Sequence, residues 1–278
     1  MSSSPPAAAW APSAALAPRA RWVPAGAWLA PGYAEWPAPP ALRGAVACLW
    51  TSVVPAGGRE NLVLPDACSD LIWEEGAGAY VAGPDTGAVS VSAAPDTVLA
   101  GVRFRPAAGG AVLGLPLSEI SDRRVPLADL LPAAVAGRLP PGLDAAVAAA
   151  AVLDVAGRLV ADRTPDPAMA HAAGLLRGPV ARAEDVAAVV GLSERQFRRR
   201  FQAAAGYGPK TLHRVLRFQR FVRRLDAAAG TPDLAAVAAD AGYADQAHLT
   251  RECRALAGLT PGALAGVRGR ALRMSVRR

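Results

Sequence analysis

Residues 242–253 read GYADQAHLTREC: a glycine that ends one helix, an aspartate suited to cap the next, then apolar residues at helical spacing. At about 100° per residue, Leu249 and Cys253 share one side of that helix. Ala247, Thr250, Arg251 and Arg254 lie toward the other, with Gln246 and His248 on its shoulders. The stretch has a counterpart upstream. Val186, Ala187 and Gly191 match Val237, Ala238 and Gly242 at an offset of 51. After one inserted turn residue, Phe197, Phe201, Gly206 and Pro209 match Leu249, Cys253, Gly258 and Pro261 at an offset of 52. Each copy predicts a helix, a tight turn at glycine and a second helix anchored at i and i+4, which is the helix-turn-helix unit. A single helix pair of this kind is common; two copies in a basic segment point to duplex DNA.

In the first copy the spacing predicts helices over 183–190 and 193–205, with Ser193 at the N-cap and Gln196 placed to close a capping box. Phe197 and Phe201 mark the buried side, and Arg195, Arg198, Arg199 and Gln202 lie opposite. Guanidinium forks match the paired acceptors of guanine edges and phosphates. Arg200 lies nearer the buried side, as a phosphate clamp or a helix–helix pair. Pro209 starts a predicted helix over 209–229, with Leu212, Val215, Leu216, Val222 and Leu225 as its buried stripe. Its length, about 30 Å, fits two recognition helices in successive major grooves about 34 Å apart. Further helices are expected over 169–177 and 234–241, then a short last helix from Pro261 and a frayed Arg-rich end, RGRALRMSVRR over 268–278, of which 271–278 form a basic tail.

From residue 175 onward the chain carries 19 Lys+Arg against 8 Asp+Glu, whereas the residues before it carry 11 against 15. A basic C-terminal part behind a mildly acidic one points to a polyanionic partner for the former. Three scattered cysteines, Cys48, Cys68 and Cys253, argue against a disulfide framework and fit a reducing cytoplasm. His248 has no His or Cys at metal-ligand spacing, so neither metal nor cofactor is expected. The first residues lack a signal-peptide pattern and no run reads as a membrane span, so no membrane contact is expected.

The Ala/Pro-rich residues 1–30 are expected to be disordered. Over 31–142, short apolar runs such as AVACLWTSVV, NLVLPDACSDLIWEE and TVLAGVRFRP alternate with Gly, Pro and Asp, and predict strands of a mainly β domain. A helix and linker are expected over 143–167, broken at TPDP, with a DNA-binding domain over 168–270. The expected fold class is α+β: a mainly β N-terminal domain, then an all-α domain of two helix-turn-helix units joined by a long helix.

GLSERQFRRRFQAAAGYGP, RFQR and AGYADQAHLTRECRALAGLTP resemble the C-terminal domain of AraC/XylS-type bacterial transcription regulators, over roughly residues 168–268. The resemblance implies that outward positions of both recognition helices touch bases: Arg195, Arg198 and Arg199, then Gln246, Ala247, Thr250 and Arg251. Cys253 stands where the family usually has an aromatic core residue. The partners implied are double-stranded DNA, with RNA polymerase and a small-molecule effector as further candidates, for a monomer or a homodimer.

NLVLPDACSDLIW and GVRFRPAAGGAVLGLPLSEISDRRVPLADL, within residues 33–131, are similar to a β-rich domain found on a subset of these regulators, in which a glycine often stands at the position of Ala107. By that analogy the domain senses a small molecule or mediates dimerisation. Asp66, Asp70, Trp73, Arg103 and Arg105 are the candidates for an effector pocket. The plainer alternative makes Trp50 and Trp73 core residues and pairs Arg103 and Arg105 with local acids. The rival function class is a DNA-repair alkyl acceptor joined to the same kind of DNA-binding domain, which needs a reactive cysteine in an electropositive setting. Cys48 lies in the apolar run VACLW and Cys68 follows Asp66, and the chain has no GxSxG, HExxH, P-loop or dinucleotide fingerprint. No enzyme is expected.

Overall fold

The computed structural model describes residues 32–54, 59–178, 182–228 and 232–276; the stretch 1–30 expected to be disordered lies outside them. The first half is built from β1 (Ala34–Pro37), β2 (Val46–Val53), β3 (Arg59–Val63), β4 (Ser69–Glu74), β5 (Gly78–Ala82), β6 (Val89–Ala93) and β7 (Val98–Phe104). After them come α1 (Gly109–Leu113), β8 (Arg124–Pro126), α2 (Leu127–Leu130), α3 (Ala133–Ala136) and α4 (Ala145–Asp162). Six strands form an antiparallel sheet in the order β1-β2-β7-β4-β5-β8, and β3 pairs with β6 separately.

Alternation decides which side chains meet. Leu49, Leu71, Trp73, Val102 and Phe104 occupy one face of the sheet, where Ala148, Val152, Val155, Ala156 and Leu159 of α4 cover them. Trp50, Ile72 and Leu99 occupy the other. Asp144 caps α4 by accepting the Ala146 N–H at 2.8 Å. The helix expected between the two domains thus shares a core with the sheet.

The second half is helical: α5 (Pro167–Leu175), α6 (Ala183–Val189), α7 (Glu194–Ala205), α8 (Pro209–Ala227), α9 (Leu234–Ala241), α10 (Gln246–Ala257) and α11 (Pro261–Val276). The described residues therefore give the expected α+β class. The repeat reappears in the backbone. Gly191 and Gly242 turn at φ 69° and 89°, and Gly206 and Gly258 end α7 and α10 at φ 86° and 68°. Ser193 and Gln196 form the capping box, and Asp166, Asp233 and Asp245 cap α5, α9 and α10. Met169, Phe197, Phe201, Phe218, Phe221, Leu249 and Cys253 are each at most 1% exposed, in one cluster threaded by α8. One expectation needs correcting: the last helix is not short with a frayed tail, because α11 continues to Val276. The predicted extension of α8 to residue 229 reaches beyond the described residues.

The two halves are docked. Leu64, Ala67 and Ala107 of the β domain are buried in the same cluster as Tyr207 and Leu216. Gln219 Nε2 donates to Pro65 O at 2.6 Å, and Ser121 Oγ donates to Gly206 O at 2.8 Å, at the end of α7. Ala107 sits at φ 65°, in the left-handed region. An L-residue there costs about 1–2 kcal/mol, which is the physical reason a glycine suits this position in the domain it resembles.

Candidate nucleic-acid interface

α7 and α10 are each the second helix of a tight pair, and each buries one side. On α7, Phe197, Phe201 and Ala205 face the core, while Arg195, Arg198, Arg199 and Gln202 are exposed. On α10, Leu249, Glu252, Cys253, Leu256 and Ala257 face the core, and Gln246, Ala247, Arg251 and Arg254 are exposed. Arg195, Arg199, Arg251 and Arg254 have no ion-pair partner among the described residues. Arg198 reaches back to Glu194 at 3.1 Å, an exposed i,i+4 pair that a phosphate can replace.

Three of the predicted contacts are spoken for. Arg200 binds Asp166 at 2.6 Å, so of the two roles open to it the structure shows the helix–helix pair, α7 to the cap of α5. His248 is half-buried, edge-on to Tyr243 with centroids 5.3 Å apart, and its Nε2 lies 3.3 Å from Arg217 Nη2. Thr250 Oγ1 donates to Gln246 O at 2.8 Å. Replacing Arg200 with Ala is expected to lower stability by no more than about 1 kcal/mol, since the pair is part-exposed. It is also expected to leave base preference unchanged, as a binding-site selection on the variant will show.

Several arginines of α8 are engaged by acids of the same half. Arg214 Nε and Arg217 Nη2 lie 3.0 and 3.5 Å from the buried Glu252 carboxylate, Arg217 also lies 4.9 Å over the Tyr243 ring, and Arg224 pairs with Asp240 at 2.8 Å. Part of the basic excess of this half is therefore structural. The sequence reading passed over Glu252. It stands three residues after Leu249 on the buried side of α10, and an acid there calls for a cation from a neighbouring helix.

The β domain holds a second candidate site, a cavity of about 200 Å³ lined by β2, β4, β5 and β7 together with β3 and β6. Arg103 Nε lies 3.2 Å from Asp70 and 3.4 Å from Asp66, and its Nη1 lies 3.4 Å from Glu35. Trp50 Nε1 donates to Asp70 at 2.7 Å, and Arg124 holds Asp85 with both terminal nitrogens at 2.5 and 2.7 Å. Burial raises the pKa of Glu35 and Asp70 against the pull of Arg103, and that of Asp85 against Arg124. Burial works against the charge of Arg103 too, yet Asp70 and Asp66 keep its pKa well above the ordinary value. Gly101 has a steric role: a Cβ there would stand 2.3 Å from the Trp50 ring, so only glycine lets the indole lie across β7.

Of the five pocket candidates, Asp66, Asp70 and Arg103 meet in this cavity. Trp73 and Arg105 do not, and both expectations are corrected. Alternation along β4 turns Trp73 to the opposite face from Asp70, where it is fully buried and donates to Pro140 O at 2.9 Å. Arg105 lies past the end of β7 and donates to Arg43 O at 2.6 Å. Tyr33, Trp50, Tyr80, Asp85 and Arg124 were missed as lining residues. They come from separate strands whose register a single sequence does not display.

Two helices with an exposed basic side, each the second of a tight pair on a doubly repeated scaffold, define a double helix-turn-helix protein. Residues 186–266 match the family described as "Helix-turn-helix domain", and residues 34–126 match "Domain of unknown function (DUF6597)". The chain carries an AraC-type helix-turn-helix domain behind a DUF6597 domain, and it is a DNA-binding transcription regulator. Among solved structures, ToxT from Vibrio cholerae O395 aligns over 78% of this chain and 97% of that chain, with 11% identity and a TM-score of 0.41. No curated protein matches the chain.

Proposed function

We propose that the protein reads a two-part DNA site by placing α7 and α10 in successive major grooves, under the control of a small molecule held in the β domain. The observation that carries the first half is the set of exposed arginines, unpaired among the described residues, on the two helices the repeat nominates: Arg195 and Arg199 on α7, Arg251 and Arg254 on α10. α8, 19 residues long, spans about 28 Å at 1.5 Å per residue, a spacing suited to grooves one helical turn apart.

The second half is supported by the segment 64–68. Leu64, Asp66 and Cys68 line the cavity, while Pro65 accepts the Gln219 hydrogen bond from α8 and Ala67 is buried in the core of the helical half. A ligand that moves this segment acts on the helix between the two recognition units. An alkyl-acceptor role finds no such support, because burial pushes the thiols of Cys48 and Cys68 upward, away from the reactive thiolate. We read the protein as non-enzymatic.

Binding-site selection with the full-length protein is expected to return a sequence with two conserved halves about one helical turn apart. Affinity is expected to fall steeply with salt as the arginines displace counterions. Equal affinity for random duplex and for every selected sequence would refute the reading.

A further inference from the structure

We propose that the cavity of the β domain takes a protonated amine carried on a small apolar body. The inference rests on reading that domain as a ligand sensor. Its first support is charge. Three carboxylates, Glu35, Asp66 and Asp70, stand around the single guanidinium of Arg103, while Asp85 and Arg124 satisfy each other. The Arg103 cluster is therefore short of positive charge among side chains largely withdrawn from water, where an uncompensated carboxylate is costly. Burial, with neighbouring acids adding to it, raises the pKa of Glu35 and of Asp70 against the pull of Arg103.

The second support is hydrogen bonding. Carboxylates only accept; Asp66 and Asp70 line the cavity, and Glu35, which is not among its lining residues, shares Arg103 with them. An ammonium in the cavity would bring both positive charge and N–H donors to Asp66 and Asp70. The third is the aromatic wall. Trp50 and Tyr33 stack with centroids 6.0 Å apart, and Tyr80 lines the same space; ring faces attract cations. Ile72, Val91 and Leu99 complete an apolar lining for the body of the ligand. An anionic ligand is disfavoured, because both guanidiniums are already engaged by carboxylates.

The test is calorimetric titration of the full-length protein, without DNA, using cyclohexylmethylamine, cyclohexylmethanol and cyclohexanecarboxylate, which share a ring and differ in charge. The amine is expected to bind about tenfold or more tighter than the other two. Asp66→Asn removes one carboxylate yet keeps an oxygen to accept the Cys68 N–H, as Asp66 Oδ1 does at 2.9 Å, and it is expected to weaken that preference. Tighter binding of the carboxylate, no binding of any of the three by wild type, or amine binding unchanged in folded Asp66→Asn would each overturn the proposal. DNA affinity measured with and without saturating amine separates the two readings. Amine binding that leaves DNA affinity unchanged overturns the control of DNA binding and leaves the ligand class standing. Failure of all three probes beside intact sequence-specific binding overturns only the ligand.

Discussion

Glu252→Ala is expected to destabilise the protein by about 2–4 kcal/mol, the range for breaking a buried ion pair reduced for the partial exposure of one partner. The Glu252 side chain is 11% exposed and holds Arg217, 15% exposed, and Arg214, 36% exposed. Without the carboxylate, two guanidiniums one turn apart on α8 face each other with no counter-charge, and Arg217 keeps only the Tyr243 ring and His248. Glu252→Gln retains shape and one acceptor, so it is expected to lose roughly half as much. Urea unfolding of both variants measures the difference. A loss below about 0.5 kcal/mol for the alanine variant would mean that the cluster is a solvated surface pair and does not tie α10 to α8.

The second large effect concerns where the helical half begins. The charge boundary at residue 175 suggests a fragment starting there, but the packing does not. Met169, Ala172 and Ala173 of α5 are buried in the same cluster as Phe197 and Phe201, and Asp166 anchors Arg200. Residues 164–278 expressed alone are expected to unfold cooperatively. Residues 175–278 are expected to be about 3–5 kcal/mol less stable, from one buried methionine at about 1.5–3 kcal/mol and two smaller side chains. That is a large part of the stability of an ordinary domain, about 5–15 kcal/mol. Calorimetry of the two fragments decides it; equal melting temperatures would place α5 outside the folding unit.

Much of the helical half was legible in the sequence because its signals are local. Capping residues, the glycine turns and the i, i+4 anchors Phe197/Phe201 and Leu249/Cys253 all act within a few residues, and the repeat states each of them twice. What stayed hidden depends on partners distant in the chain. Arg200 pairs across 34 residues, Arg214 with Glu252 across 38, and Gln219 with Pro65 across 154. In the β domain, alternation along β4 separates Asp70 from Trp73, a distinction the pocket reading did not draw. It could not bring Trp50 beside Asp70, because that neighbourhood exists only once β2 and β4 flank β7.

The central claim, two recognition helices in two grooves, is tested most directly by binding-site selection run in parallel on wild type, Arg199→Ala and Arg251→Ala. Both side chains are exposed and have no ion-pair partner among the described residues, so each loss is expected to relax preference at its own base position, at about 1–3 kcal/mol per bidentate contact. The affected positions are predicted to lie in different halves of the site, about one helical turn apart. If Arg199→Ala and Arg251→Ala alter the same base pairs, the two-groove account is contradicted even where DNA binding itself is intact.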